Sequence, residues 1–356
     1  MSVRRFALGL VVGKFAPLHR GHEALVAQAA AQCERLLILS YSRPEFTRCD
    51  VASRRRWLAA RFPQHDCLVI DDAWLSRACT ARGLPVRQQP PNSAADAVHQ
   101  HFLAGLLQLL QRQPDALFCS EPWGPSCAQV LAQALGRPVQ AVVWDPARQQ
   151  LPISASRIRQ DPWAAWDWLS PPVRASWVRR VLLLGGESTG KTTLAAALAR
   201  RLGCAWVPEY GRTLWEAQGG QLAEADLLRI AREQRRQEEA AAQASANGWL
   251  VCDTSPLTTL GYAGWMFGRA DPALAALAHA AQARYDAVLL CADDLPFTQD
   301  GTRRDPAFRS RQQAWYRARL AEQAAPCLTL QGAVDQRVAS AVQWLAQLPW
   351  PVPRPC

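Results

Sequence analysis

Twice in this chain an apolar run of strand type ends in glycine, turns through a short loop and opens a helix. The first passage is Phe6–Val12 followed by Gly13-Lys14-Phe15-Ala16-Pro17-Leu18-His19-Arg20-Gly21-His22. The second is Arg180–Leu184 followed by Gly185-Gly186-Glu187-Ser188-Thr189-Gly190-Lys191-Thr192. Glycine lets backbone approach a phosphate, and the amides of a helix N-terminus favour an anion, so each passage reads as a phosphate site. Of the 40 lysines and arginines only two are lysine, and they are Lys14 and Lys191. A compact ammonium on a flexible stem fits between phosphates where a planar fork does not. Two such sites predict two α/β units, each with its own chemistry.

The rest of the chain follows that pattern. With 356 residues, 49% of them hydrophobic, it holds material for two cores. Strands are expected at Phe6–Val12, Arg35–Tyr41, Cys67–Ile70, Ala116–Cys119 and Val139–Trp144. Helical patterns near 22–33, 51–61, 93–112 and 125–135 separate them. Strand–helix alternation implies a parallel sheet with crossover helices. A proline- and tryptophan-rich joint follows Arg159, and strands restart at Arg180–Leu184, Trp249–Cys252, Ala287–Cys291 and Cys327–Leu330. Helices are expected between them near 191–202, 223–245, 257–267, 272–283 and 307–325, with a last one near 334–347. The expected division is residues 1–172, 173–348 and a proline-rich tail 349–356 without regular structure.

Composition narrows the class. The formal charge of +10 is spread over scattered arginines with no run of five or six basic residues, which fits anionic substrates better than nucleic acid. Eleven cysteines without a CxxC pair indicate thiols in a reducing compartment, not a disulfide framework or zinc site. No stretch reaches the length of a spanning helix and no signal peptide is apparent, so a cytoplasmic protein without membrane insertion is expected. A homo-oligomer is compatible with the sequence, which sets no oligomeric state.

In the first unit, His19 and His22 are three residues apart at a helix start, so both imidazoles can enter one pocket and meet the phosphates of ATP. Gly13, Phe15 and Gly21 shape the loop around them. Near the end of the unit, Ser154 and Ser156 in Ile153-Ser154-Ala155-Ser156-Arg157-Ile158-Arg159 can cap a helix, and Arg159 would clamp the β- and γ-phosphates. Direct adenylyl transfer needs alignment of two polyanions and charge neutralisation, not a covalent catalyst.

In the second unit Gly185, Gly186, Glu187, Ser188, Thr189, Gly190, Lys191, Thr192 and Thr193 form a Walker A loop in its proper strand–helix context. Lys191 reaches the β- and γ-phosphates, and Thr192 with Asp253 would hold Mg2+. The segment Pro296–Arg304 reads as a lid whose Arg303 closes on the transferring phosphate. Glu209 and Asp253 compete for the role of orienting the acceptor hydroxyl, each against the plainer reading of a helix cap or surface carboxylate.

The HxGH and Ile-Ser-x-Ser-x-x-Arg pair resembles the nucleotidyltransferase superfamily with a Rossmann-like fold; Ser156 stands where that family usually has threonine. Ser120-Glu121-Pro122, Trp144-Asp145-Pro146, Pro91-Asn92 and the following P-loop make the whole chain similar to the bifunctional nicotinamide mononucleotide (NMN) adenylyltransferase/ribosylnicotinamide kinase family, of the NadR type. The second half adds Glu209-Tyr210-Gly211-Arg212, Gly219-Gly220, Asp253-Thr254 and an aromatic-x-x-Asp-Gly-x-Arg stretch; Ser255 stands where some members carry a second aspartate. The resemblance implies an N-terminal Rossmann-like nucleotidyltransferase and a C-terminal P-loop kinase. ATP, nicotinamide riboside, NMN and NAD are then its ligands. It also implies that Asn92, Arg48 and Arg54 lie at the NMN pocket. A turn asparagine is the rival reading for Asn92, a solvated helix face for the two arginines. The helix-turn-helix of some members has no room before a strand at residue 6, so no DNA partner is expected. Rival functions are another small-molecule nucleotidyltransferase–kinase fusion and an ATP- or NAD-sensing regulator.

Overall fold

A computed structural model of the chain describes residues 5–350 apart from positions 300, 302 and 324. Most of the proline-rich tail, from residue 351 on, therefore lies outside the described residues. The chain divides into two compact units, the first ending at Ser176 and the second beginning at Trp177.

The first unit runs β1 (Phe6–Gly13), α1 (Arg20–Gln32), β2 (Cys33–Tyr41), α2 (Val51–Arg61), β3 (Asp66–Ile70), α3 (Asp72–Thr80), α4 (Asp96–Leu110), β4 (Ala116–Cys119), α5 (Gly124–Leu135), β5 (Gln140–Val143), α6 (Ala155–Gln160) and α7 (Pro171–Arg174). Its sheet is parallel in the order β3-β2-β1-β4-β5. Leu10 and Val11 of β1 are fully buried, as a continuous apolar run requires when helices cover both faces of a parallel sheet. At the end of the unit Ser176 is held from α2: the Trp57 indole donates to its hydroxyl at 3.0 Å.

The second unit runs β6 (Arg179–Leu184), α8 (Lys191–Leu202), β7 (Ala205–Val207), α9 (Tyr210–Ala217), α10 (Glu224–Ala244), β8 (Trp249–Asp253), α11 (Pro256–Phe267), α12 (Pro272–Gln282), β9 (Ala287–Cys291), α13 (Pro306–Ala321), β10 (Cys327–Leu330) and α14 (Val334–Gln347). All strands are parallel in the order β10-β9-β6-β8-β7. The core gathers Val181, Leu183, Leu194, Leu198, Val251 and Leu289. In both units the first strand is central with neighbours on either side. The loop leaving its C-terminal end opens where crossovers depart in opposite directions, the usual place for a ligand crevice in such sheets.

Four helices and strands had no counterpart in the sequence reading, one of them the four-residue α7 in the proline-rich joint. β7 is a three-residue edge strand, too short for a periodic signal. α3 is capped by Asp71, whose carboxylate accepts the Trp74 amide at 2.5 Å. α9 is an eight-residue helix directly after Glu209.

Candidate active sites

A cavity of about 420 Å³ lies at the C-terminal ends of β1 and β4. It brings together Gly13, Lys14, Phe15, His19, Gly21, His22, Asn92, Ser154, Ser156 and Arg159. His19 caps α1, its Nδ1 accepting the Gly21 amide at 3.1 Å. Its ring stacks on His22 with centroids 3.7 Å apart, and Phe15 meets His22 edge-on. Burial pushes both imidazoles down, to about 3 at His22, with Arg148 adding to the effect. They are neutral at pH 7, each able to present one N–H donor. His22 Nδ1 is buried without a hydrogen-bond partner among the described residues.

Cations close the site. Burial, and then Arg159, lowers the Lys14 ammonium, opposed by Asp96. Lys14 Nζ donates to the Asn92 carbonyl at 3.3 Å. Arg159 donates to the Ala16 carbonyl and to Ser156 Oγ at 3.0 Å, and its guanidinium lies 4.0 Å from the Phe46 ring centroid. Ser154 caps α6 through the Arg157 amide at 3.2 Å. Arg148, held by Glu121 at 2.8 Å, also lines the cavity. The sequence reading passed over Arg148, although it stands just beyond the matched Trp144-Asp145-Pro146.

The three expected NMN residues fall differently. Asn92 lines the cavity, but its carboxamide donates to Ser42 Oγ and the Pro44 carbonyl at 3.1 and 2.7 Å, and accepts the Arg43 amide. Arg48 is buried and donates to the Ser176 carbonyl at 3.2 Å. Arg54 is wholly buried, bonded to the Cys49 carbonyl, to Ser40 Oγ and to Glu45. Neither arginine lines the cavity, and neither sits on a solvated face. The solvated-face reading is corrected by this burial; Arg54 in addition spends donors from all three guanidinium nitrogens inside the fold.

The second cavity, about 490 Å³, forms around the loop between β6 and α8. Gly185, Glu187, Ser188, Thr189, Gly190, Lys191, Thr192, Thr193, Glu209 and Arg303 line it. Gly185 has φ +148, and a Cβ there would come within 2.8 Å of both the Cys291 carbonyl oxygen and Thr189 Oγ1. Lys191 Nζ donates to the Gly185 and Gly186 carbonyls, each at 2.9 Å. The amides of Gly186 and Glu187 are not free for an anion: Gln313 and Gln312 side-chain carbonyls accept them at 3.1 and 2.7 Å. An anion nest here would be built from the remaining loop amides and from those of the α8 first turn, which lack intrahelical acceptors. Gly186 belongs to the back wall, not to the lining.

Glu187 lies in a ring of hydrogen bonds. Tyr262 OH donates to its Oε1 at 2.9 Å, Gln312 Nε2 donates to Tyr262 OH at 3.2 Å, and Gln312 Oε1 accepts the Glu187 amide. Its Oε2 accepts the Arg304 amide at 2.9 Å. Ser188 Oγ accepts the Thr298 amide at 2.8 Å and Arg303 Nη1 at 3.2 Å. From below, the buried Arg337 donates to the Thr189 carbonyl at 2.8 Å and pairs with Asp294. Tyr262, Gln312, Gln313 and Arg337 carry no local motif, and the sequence reading missed all four.

The two competing carboxylates separate. Asp253, fully buried at the end of β8, accepts Thr192 Oγ1 at 2.7 Å on Oδ2, while Oδ1 has no hydrogen-bond partner among the described residues. Glu209 precedes α9 and lines the cavity; burial raises its carboxyl to about 6, against the pull of Lys191. Among the described residues no group of three or more His, Cys, Asp or Glu is placed to hold a metal ion, and no helix is long and apolar enough to cross a membrane.

A family model described as an AAA domain matches residues 180–337. Two solved NadR proteins share the fold. One, in complex with NR, superposes with a TM-score of 0.70 at 21% identity, covering 96% of this chain and 95% of that one. The other, in complex with NAD and AMP-PNP, gives 0.65 at 18% identity, with 96% of each chain covered. The trifunctional NAD biosynthesis/regulator protein NadR of Escherichia coli (strain K12) is 30% identical over 311 residues, 83% of this chain and 71% of that protein. The namesake from Salmonella typhimurium is 30% identical over 315 residues, 84% and 72% of the two chains. With its HxGH cavity and its P-loop cavity, the chain belongs to the NadR family.

Proposed function

We propose that this protein is a bifunctional transferase of NAD salvage, phosphorylating nicotinamide riboside to NMN and adenylylating NMN to NAD. One observation carries the reading: a single chain of the NadR family holds two cavities, each behind its own phosphate loop. The NAD biosynthesis in its relatives' name, and the NR, NAD and AMP-PNP complexes of its structural neighbours, support these ligands.

In the C-terminal unit, Lys191 exchanges two backbone carbonyls for the β- and γ-phosphates of ATP. Glu209 accepts the proton of the riboside 5′-hydroxyl, the oxygen attacks the γ-phosphorus, and ADP leaves. Arg303 meets charge that appears on the transferred group. The residues present fit Mg2+: Thr192 Oγ1 and Asp253 Oδ2 form one oxygen pair, and the buried Oδ1 has a lone pair to offer. When bound, the ion neutralises phosphate charge.

The N-terminal unit, read as a Rossmann-like nucleotidyltransferase, has a different task. A phosphate oxygen of NMN attacks the α-phosphorus of ATP and pyrophosphate leaves. The nucleophile is already ionised, so no base is needed. Neutral His19 and His22 donate N–H groups, while Lys14, Arg148 and Arg159 offset charge on the departing pyrophosphate.

Chromatography of a reaction containing the protein, Mg2+, ATP and nicotinamide riboside tests this. ADP and NMN should appear first, then NAD and pyrophosphate. Unchanged riboside, with NMN still converted to NAD, would remove the kinase half.

A further inference from the structure

Arg54 is the most deeply buried arginine of the first unit, 0% exposed in α2 and outside the cavity. Exchanging a buried ion pair for apolar side chains is often neutral or stabilising, so the charge alone explains little. What a guanidinium adds over an apolar residue is directed donors, and three of them are used. Nε holds the Cys49 carbonyl at 3.1 Å, Nη1 holds Ser40 Oγ at 2.6 Å and Nη2 pairs with half-buried Glu45.

Each bond leads toward the site. Ser40, the penultimate residue of β2, lies opposite Gly13 in the β1–β2 register, and its hydroxyl donates to the Lys14 carbonyl at 3.1 Å. Glu45 and Cys49 bracket the loop between β2 and α2, and Phe46 on that loop is the platform under Arg159. The same loop is pinned at Ser42 and Pro44 by Asn92, whose own carbonyl takes the Lys14 ammonium. One buried residue thus ties the backbone of Lys14 to the support of Arg159.

We infer that Arg54 is a positioning residue for adenylyl transfer, fixing Lys14 through Ser40 and Arg159 through the Phe46 loop, and does not bind the mononucleotide phosphate. The inference rests on the adenylyl-transfer reading above. Removing either arm should loosen alignment in the transition state more than ground-state binding, because a small misplacement there costs rate.

The experiment measures NAD formation from NMN and ATP for wild type, Ser40→Ala, Phe46→Leu, Arg54→Met and Arg54→Lys, with kinase turnover of each preparation as the folding control. Ser40→Ala and Phe46→Leu should each lower adenylyl-transfer kcat about tenfold with KM for NMN within threefold and kinase turnover unchanged. Arg54→Lys should recover only part of what Arg54→Met loses, because one ammonium cannot span three divergent acceptors. The inference falls if Ser40→Ala and Phe46→Leu both stay within twofold of wild type, whatever Arg54→Met does. It also falls if Arg54→Met raises KM for NMN with kcat intact, the signature of a phosphate ligand. A wild-type protein that makes no NAD from NMN and ATP overturns the reading beneath it, and the inference with it.

Discussion

Glu209 and Asp253 are two carboxylates around one P-loop with different surroundings, and that difference sorts their roles. Burial raises both, but Asp253 is wholly enclosed and already bonded to Thr192, whereas Glu209 lines the cavity. A base must be ionised to work, and a carboxyl raised to about 6 is still ionised at pH 7 while being a stronger proton acceptor than an unperturbed one. Lys191 and Arg212 hold it down, while Asp253 and Glu187 push it further up. The sign follows directly: as pH falls through about 6, Glu209 takes a proton and the kinase loses its base. We expect kcat/KM for nicotinamide riboside to show an acid limb near that value, dropping about tenfold per pH unit below it. Glu209→Gln should remove the limb and lower turnover on the order of a hundredfold. A limb that survives in Glu209→Gln would transfer the role to Asp253.

At the scale of elements, the phosphate loop carries more than phosphate. Its variable positions Glu187 and Ser188 accept backbone amides from Arg304 and Thr298, near the two ends of the proposed lid. The ring through Tyr262 and Gln312 aims the Glu187 carboxylate at that segment. Cutting the anchor should free the segment and weaken closure over the transferred group. We expect Glu187→Ala to speed tryptic cleavage at Arg303 and Arg304 severalfold and to lower kinase turnover about tenfold, equivalent to ~1.4 kcal/mol. Adenylyl transfer should be unaffected. Equal cleavage rates in Glu187→Ala and wild type would show the anchor to be idle. The contrast with the sequence is instructive at this scale. Ala116–Cys119 and Ala287–Cys291 were readable because fully covered parallel strands are continuous apolar runs. Lys14, His19, His22 and Lys191 were readable because a phosphate loop is a local object, its chemistry written in consecutive residues. Gln312, Gln313 and Arg337 lie far along the chain and meet the P-loop only through sheet order, which no spacing rule reveals. Arg54 illustrates the same limit: the family resemblance offered it as a phosphate ligand, while its partners depend on how the β2–α2 loop folds back.

For the molecule as a whole, the two cavities are built from separate stretches of chain. Residues 11–159 line the first and 185–316 the second, each within its own unit. Among the described residues no side chain lines both cavities, so damage to one site need not reach the other unless a folding defect spreads. Lys191→Ala removes the ammonium from the P-loop and should abolish NMN formation while leaving adenylyl transfer to supplied NMN near wild-type. His22→Ala removes one stacked imidazole and its N–H donor and should do the reverse. The two defects are complementary in a stronger sense. NMN is the product of one unit and the substrate of the other, so a mixture of the two variants should make NAD from nicotinamide riboside, although neither does so alone. The time course should show a lag while free NMN accumulates toward the KM of the adenylyl-transfer site, and the lag should shorten as the proportion of His22→Ala protein rises. If each variant retains its expected half-reaction yet the mixture makes no NAD, NMN does not pass through solution and the units are not independent catalysts. If either substitution kills both half-reactions in a folded protein, the two-site account itself is wrong.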